Sequence, residues 1–199
     1  MRAPGEPVRM QVASLTHDGR GVARVDGKTV FVDGALPGET VMAARGRKHR
    51  RYDEATLLEV LEPSPDRVPP GCAHFGVCGG CALQHLDETR QIEAKQAHVA
   101  EQFARVGQVE PLRWLEPLRG PSWGYRRRAR LGAKYVIKKE RVLVGFRERS
   151  KPYIADVRAC PVLAGPVGAL VGELAELVGT LSIRDRLPQF EVSVGERAT

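Results

Sequence analysis

The stretch HDGRGVARVDGKTVFVDGALPGE, residues 17–39, decides how the first third of the chain folds. Asp26-Gly27 lies between GVARV and KTVFV, two short runs rich in β-branched residues. An Asp-Gly pair so flanked predicts a two-residue hairpin, because both turn positions need positive φ. DGRG at 18–21 and LPG at 36–38 supply further turns. Outward from this hairpin, VRMQVASL precedes it and ETVMAARG and ATLLEVL follow. Several of these runs alternate apolar and polar residues, the period of half-buried strands. Five short strands within residues 1–62 predict a small OB-like barrel, which avoids exposed edges by closing on itself. Such barrels bind oligonucleotides on one face and its bordering loops.

The charge distribution agrees with a polyanion partner. Residues 45–51, RGRKHRR, place Arg45, Arg47, Lys48, Arg50 and Arg51 in one short run. Their expected role is phosphate contact, the other being a charged strand edge that resists aggregation. The formal net charge of the 199-residue chain is +7, yet residues 113–151 alone hold 13 Lys/Arg against 3 Asp/Glu. That block is interleaved with Trp114, Trp123, Tyr125 and Tyr135, whose rings suit stacking on splayed bases. The composition, 42% hydrophobic and 28% charged, is that of a globular chain and excludes a disordered one. LAGPVGALVGELAELVGTL is interrupted by Gly and Glu, so it does not read as a membrane span. MRAPGEPVRMQV has no apolar signal core, so a cytoplasmic location is expected; a monomer is expected as well.

EPSPDRVPPG, residues 62–71, carries four prolines and reads as a stiff linker, so the domain boundary is drawn there: 1–62 and 63–199. Residues 87–106 then read as a helix with Asp87 as N-cap, an Ile92/Val99/Phe103/Val106 stripe and Gly107 as stop. Strand patterns return at YRRRARL. There Tyr125, Arg127, Ala129 and Leu131 are expected on one face, with Arg126, Arg128 and Arg130 on the other. AKYVIKK and RVLVGFR predict a hairpin around Lys139-Glu140, with Lys134 on its first arm. Val167, Leu170, Val171, Leu174, Leu177, Val178 and Leu181 form a helical stripe over 166–181, and QFEVSV predicts a last strand. The second part is therefore α+β and the whole chain mainly β.

GCAHFGVCGGC, residues 71–81, holds Cys72, Cys78 and Cys81, and the fourth cysteine, Cys160, precedes a proline far downstream. Thiolates are the soft ligands that zinc and iron–sulfur clusters need. Three thiols among glycines in a cytoplasmic chain do not resemble inert core positions. The triplet plus a remote Cys-Pro slightly favours a cluster over zinc. Zinc stays open on spacing alone, with His74 and His85 as possible substitute ligands.

Together these motifs resemble the RlmD (RumA) type of 23S ribosomal RNA (uracil-5-)-methyltransferases. HDGRGVARVDGKTVFVDGALPGE is similar to the family's TRAM barrel, CAHFGVCGGCALQHL to its cluster loop, and WGYRRRARL with ACPVL to its central domain. The resemblance implies a [4Fe-4S] cluster on Cys72, Cys78, Cys81 and Cys160, and ribosomal RNA as partner. It also implies S-adenosylmethionine, a nucleophilic cysteine and a carboxylate base, all on a Rossmann-like domain that these 199 residues do not contain. With four cysteines assigned to a cluster, none remains as nucleophile. The expectation is a chain that binds RNA without methylating it, with the 87–106 helix packing on the further domain. Two other readings compete. A zinc-stabilised, non-enzymatic RNA-binding module is one. A radical S-adenosylmethionine methylthiotransferase is the other; it needs C-x3-C-x2-C, which the five-residue gap here does not match.

Overall fold

The computed structural model describes residues 5–196, in two compact units. One comprises residues 1–69 and 83–117, the other residues 70–82 and 118–199.

All five expected strands of the first unit form: β1 (Pro7–Leu15), β2 (Arg20–Val25), β3 (Lys28–Asp33), β4 (Thr40–Lys48) and β5 (Tyr52–Glu62). They close into a barrel in the order β1-β2-β3-β5-β4, with β3 and β5 parallel and the other pairs antiparallel. The β2–β3 hairpin turns through Asp26 (φ 51°) and Gly27 (φ 75°), so Val25 faces Lys28. Both turn residues take the left-handed conformation that a tight right-twisted hairpin demands. Alternation delivers Met10, Val12, Ala23, Val30, Val32, Val41, Ala43 and Ala55 to the barrel interior.

The proline-rich segment is stitched to the barrel over its first half. Arg67 reaches the fully buried Glu39 through Nε and Nη2 and also donates to the Gly34 carbonyl at 2.8 Å. Burial would raise the Glu39 pKa, but Arg67 and the amides of Leu36 and Ser64 outweigh it and hold the carboxyl low. Asp87 caps α1 (Glu88–Gln102) as expected, its Oδ1 accepting from the Thr89 amide at 2.9 Å. The helix ends earlier than the sequence suggests, in a π-turn over Phe103–Gly107 that Gln108 closes at φ 51°. The expected apolar stripe is not buried: Val99, Phe103 and Val106 are exposed.

The second unit is a three-stranded antiparallel sheet in the order β7-β6-β8, built from β6 (Arg128–Val136), β7 (Arg141–Gly145) and β8 (Gln189–Ser193). The expected hairpin is present, with Val136 opposite Arg141 and Glu140 left-handed at φ 52°. Helix α2 (Val171–Thr180) buries Val171, Ala175 and Val178 against Leu131, Val142 and Val144. It is shorter than the 166–181 stripe, because residues 165–168 form a separate 3-10 turn; Leu177 faces outward. Among the described residues no helix is long and apolar enough to cross a membrane.

Candidate functional site

The basic run of the first unit straddles the end of β4 and the turn into β5, and its residues divide by environment. Arg47, Lys48, Arg50 and Arg51 are exposed, and among the described residues no hydrogen bond or ion pair holds their side chains. Arg45 differs from the expected phosphate contact. It is half-buried and pairs with Asp53, a fully buried carboxylate that Lys28 Nζ also reaches at 2.6 Å. Hydrogen bonds from Lys28 and then Arg45, opposed by burial, lower the Asp53 pKa to about 2. Arg45 is therefore committed to the barrel. The sequence hid this because Asp53 sits eight residues on, across the strand pair.

Beside the four exposed cations runs a ladder of flat groups. His49 stacks on Tyr52 with ring centroids 4.3 Å apart. Tyr52 meets Phe31 edge-on at 5.2 Å, and the Arg20 guanidinium lies 4.9 Å over the Phe31 ring. Sequence reasoning passed over Phe31 and Tyr52, although Tyr52 directly follows the basic run.

In the second unit the arginine pattern is only partly as expected. The strand begins at Arg128, so Ala129, Leu131 and Ala133 turn inward while Arg128 and Arg130 point outward. Arg126 lies before the strand, is half-buried, and places its guanidinium 5.5 Å from the Phe146 ring centroid. Tyr125 and Arg127, expected on one face with Ala129 and Leu131, lie before the strand and are exposed. Arg128 and Arg130 both lean on Glu191 of β8, at 2.6 and 3.7 Å. Lys134 is exposed on β6.

The four cysteines belong to the second unit, and none is in a disulfide. Cys78 and Cys81 pack against the core cluster that contains Cys160. Burial raises the Cys78 pKa, and electrostatic repulsion from Cys160, Cys81 and Cys72 adds to it. Cys160 is raised in the same way, burial first, with Cys81 and Cys72 contributing. The loop is fixed by backbone bonds: the Gly79 amide donates to the Arg147 carbonyl at 2.8 Å, and the Arg149 amide to Val77 at 2.8 Å. A Cβ at Gly79 would stand 2.8 Å from that carbonyl, and one at Gly80 would stand 2.9 Å from the Phe146 ring. The Gly80 amide meanwhile points to Cys78 Sγ at 3.4 Å. Among the described residues, no three His, Cys, Asp or Glu side chains gather as ligands of a metal ion. His85 is buried in the first unit, where its carbonyl accepts from the Val68 amide.

The TRAM domain family matches residues 2–44. The match runs from β1 to the middle of β4. It is also 54% identical over 195 residues to the 23S rRNA (uracil(1939)-C(5))-methyltransferase RlmD of Nitrosococcus oceani, covering 98% of this chain and 44% of that protein. The RlmD of Methylococcus capsulatus is 52% identical, again over 98% of this chain and 44% of the relative. The chain thus spans less than half the length of these relatives, and the RlmD resemblance read from its motifs is shown. Among solved structures, the Pyrococcus abyssi tRNA (uracil-54, C5)-methyltransferase in complex with S-adenosyl-L-homocysteine is similar. Its TM-score is 0.60 at 26% identity, over 85% of this chain and 36% of that one.

Proposed function

We propose that these residues form the RNA-recognition portion of an S-adenosylmethionine-dependent methyltransferase acting at a uracil C5 of 23S ribosomal RNA, in the cytoplasm. The observation that carries the RNA-binding part is the barrel loop. Arg47, Lys48, Arg50 and Arg51 are exposed beside the His49–Tyr52 stack. Cations of this kind hold phosphates, and adjacent rings receive unstacked bases. Arg126, Arg128, Arg130 and Lys134 extend the basic surface of the second unit, the middle pair tempered by Glu191. The methyl transfer itself is assigned to none of these residues.

Cys72, Cys78, Cys81 and Cys160 would hold a [4Fe-4S] cluster. The residues fit such a group: no cysteine is in a disulfide, Cys78 and Cys81 pack on the core that holds Cys160, and the Gly80 amide is turned toward a sulfur. A cluster is wider than a single ion, so its ligands stand further apart than those of zinc. When bound, it would tie the 72–81 loop to the turn at Cys160 and so brace the basic sheet. Burial first, and repulsion from the neighbouring sulfurs after it, hold the Cys78 and Cys160 pKa values up, so binding a metal there would release protons.

The test is binding of a single-stranded ribosomal RNA fragment by the 199-residue chain at graded salt. Affinity should fall linearly on logarithmic axes as salt rises. Absence of binding at low salt would overturn the RNA-recognition reading.

A further inference from the structure

We propose that a cleft in the second unit receives one unstacked nucleotide of the bound RNA, its base against Tyr153 and its phosphate toward Lys134 and Arg186. This rests on the RNA-binding reading above. Lys134 and Leu143 are register partners on β6 and β7. Val142 and Val144 belong to the core under α2, so by strand alternation Lys134 and Leu143 face the other side of the sheet. Leu143 is nonetheless only 7% exposed. Two segments come over that side. Residues 147–154 fold back through the Arg147–Ile154 bridge and a 2.8 Å bond from the Glu148 amide to the Tyr153 carbonyl. Residues 185–188 approach from the other edge. Between them lies a cleft of about 580 Å³.

The cleft's size is that of a small-ligand site, and its lining is mixed in a specific way. Leu143, Ile154 and Pro152 give an apolar wall, and Tyr153 is 63% exposed beside it. Lys134, Arg147 and Arg186 bring three cations, against Glu148 and Asp185; Lys139 also lines the cleft but is paired with Asp156. An inorganic anion would use the cations and waste the wall. A purely apolar ligand would leave the charges unanswered. A nucleotide uses all of it: a flat base for the wall and ring, base N–H groups for the carboxylates, and a phosphate for the cations. The small surplus of positive charge means weak binding of a free nucleotide, so the cleft adds to a strand already held elsewhere.

The experiment measures binding of a single-stranded RNA oligomer to the 199-residue chain by fluorescence anisotropy, with methyl NMR of Leu143 and Ile154. Tyr153→Ala should weaken the oligomer about 10-fold with its salt dependence unchanged, since base–aromatic stacking is a non-ionic contribution. Tyr153→Phe should bind as the parent does, which separates loss of the ring from loss of the fold. Lys134→Ala with Arg186→Ala should lower the salt slope by about 1. Uridine and adenosine monophosphate should shift the Leu143 and Ile154 methyl signals, and inorganic phosphate alone should not. An oligomer that binds Tyr153→Ala as tightly as the parent, with both methyl signals unmoved by nucleotides, overturns the cleft and leaves RNA binding standing. Failure of the parent to bind any oligomer overturns both.

Discussion

Arg45 and Asp53 form an ion pair across β4 and β5 in which the carboxylate is wholly buried and Lys28 completes the set. Two cations for one anion satisfy both carboxylate oxygens, which makes burial of the charge tolerable. The pair joins the start of the basic run to the start of β5, so it holds the turn that displays Arg47, Lys48, Arg50 and Arg51.

Stability should therefore depend on Asp53 at acid pH. Its folded pKa of about 2 lies below the ordinary 3.8. A depressed carboxylate contributes stability that is present above the ordinary value and lost as pH falls through the folded one. Asp53→Asn should cost about 3 kcal/mol at neutral pH, at the low end for a broken buried pair because Lys28 and Arg45 keep some water contact. Urea titrations of parent and variant should converge as pH drops from about 5 to 2. A constant gap across that range would show that folding does not lower the Asp53 pKa.

The basic run should split by function. Replacing Arg47, Lys48, Arg50 and Arg51 with Ala should lower the salt slope of RNA binding by about 2 to 3, given roughly 0.7 per single-strand phosphate contact. Their exposed side chains leave the unfolding midpoint within about 0.5 kcal/mol of the parent. Arg45→Ala should do the reverse: lower stability, with a nearly unchanged slope. An equal slope loss from Arg45→Ala would place that side chain on the RNA and not on Asp53.

The barrel was legible in the sequence because its signals are local. Asp26-Gly27 sets a hairpin from within, and the strands on either side alternate at period two. The grouping of Cys72, Cys78 and Cys81 was legible for a similar reason, all three lying in one loop. What escaped depends on partners distant along the chain. Glu191 lies 63 residues from Arg128 and meets it only because β8 pairs with β6. The Tyr153 cleft needs segments 147–154 and 185–188 on one face of a sheet, which no spacing rule encodes. The stripe at Val99, Phe103 and Val106 shows the opposite limit: periodicity marks a face that could be buried, not one that is.

Glu191 should act as a brake on RNA binding. It neutralises Arg128 and Arg130 on the exposed side of β6, and both guanidinium groups remain largely in water. Glu191→Gln should steepen the salt slope by about 1 and tighten binding at low salt. The stability cost should be under about 1 kcal/mol, as for exposed pairs generally. An unchanged slope would mean that neither arginine meets a phosphate.

The cysteine site should contain iron and acid-labile sulfide when the chain is purified under nitrogen, at about four of each per chain. Cys72→Ser, at a half-exposed position, should lower both together without unfolding the barrel, whose core shares no residue with the cysteine cluster. Cys160→Ser lies in the core of the second unit and should also loosen α2, read as faster amide exchange at Val171 and Ala175. Removing the cluster from the parent should give the same exchange pattern, because a ligand bound only to the folded form stabilises it. Stoichiometric zinc without sulfide in the same preparation would replace the cluster with a zinc site, and iron retained by Cys72→Ser would remove that residue from the ligand set.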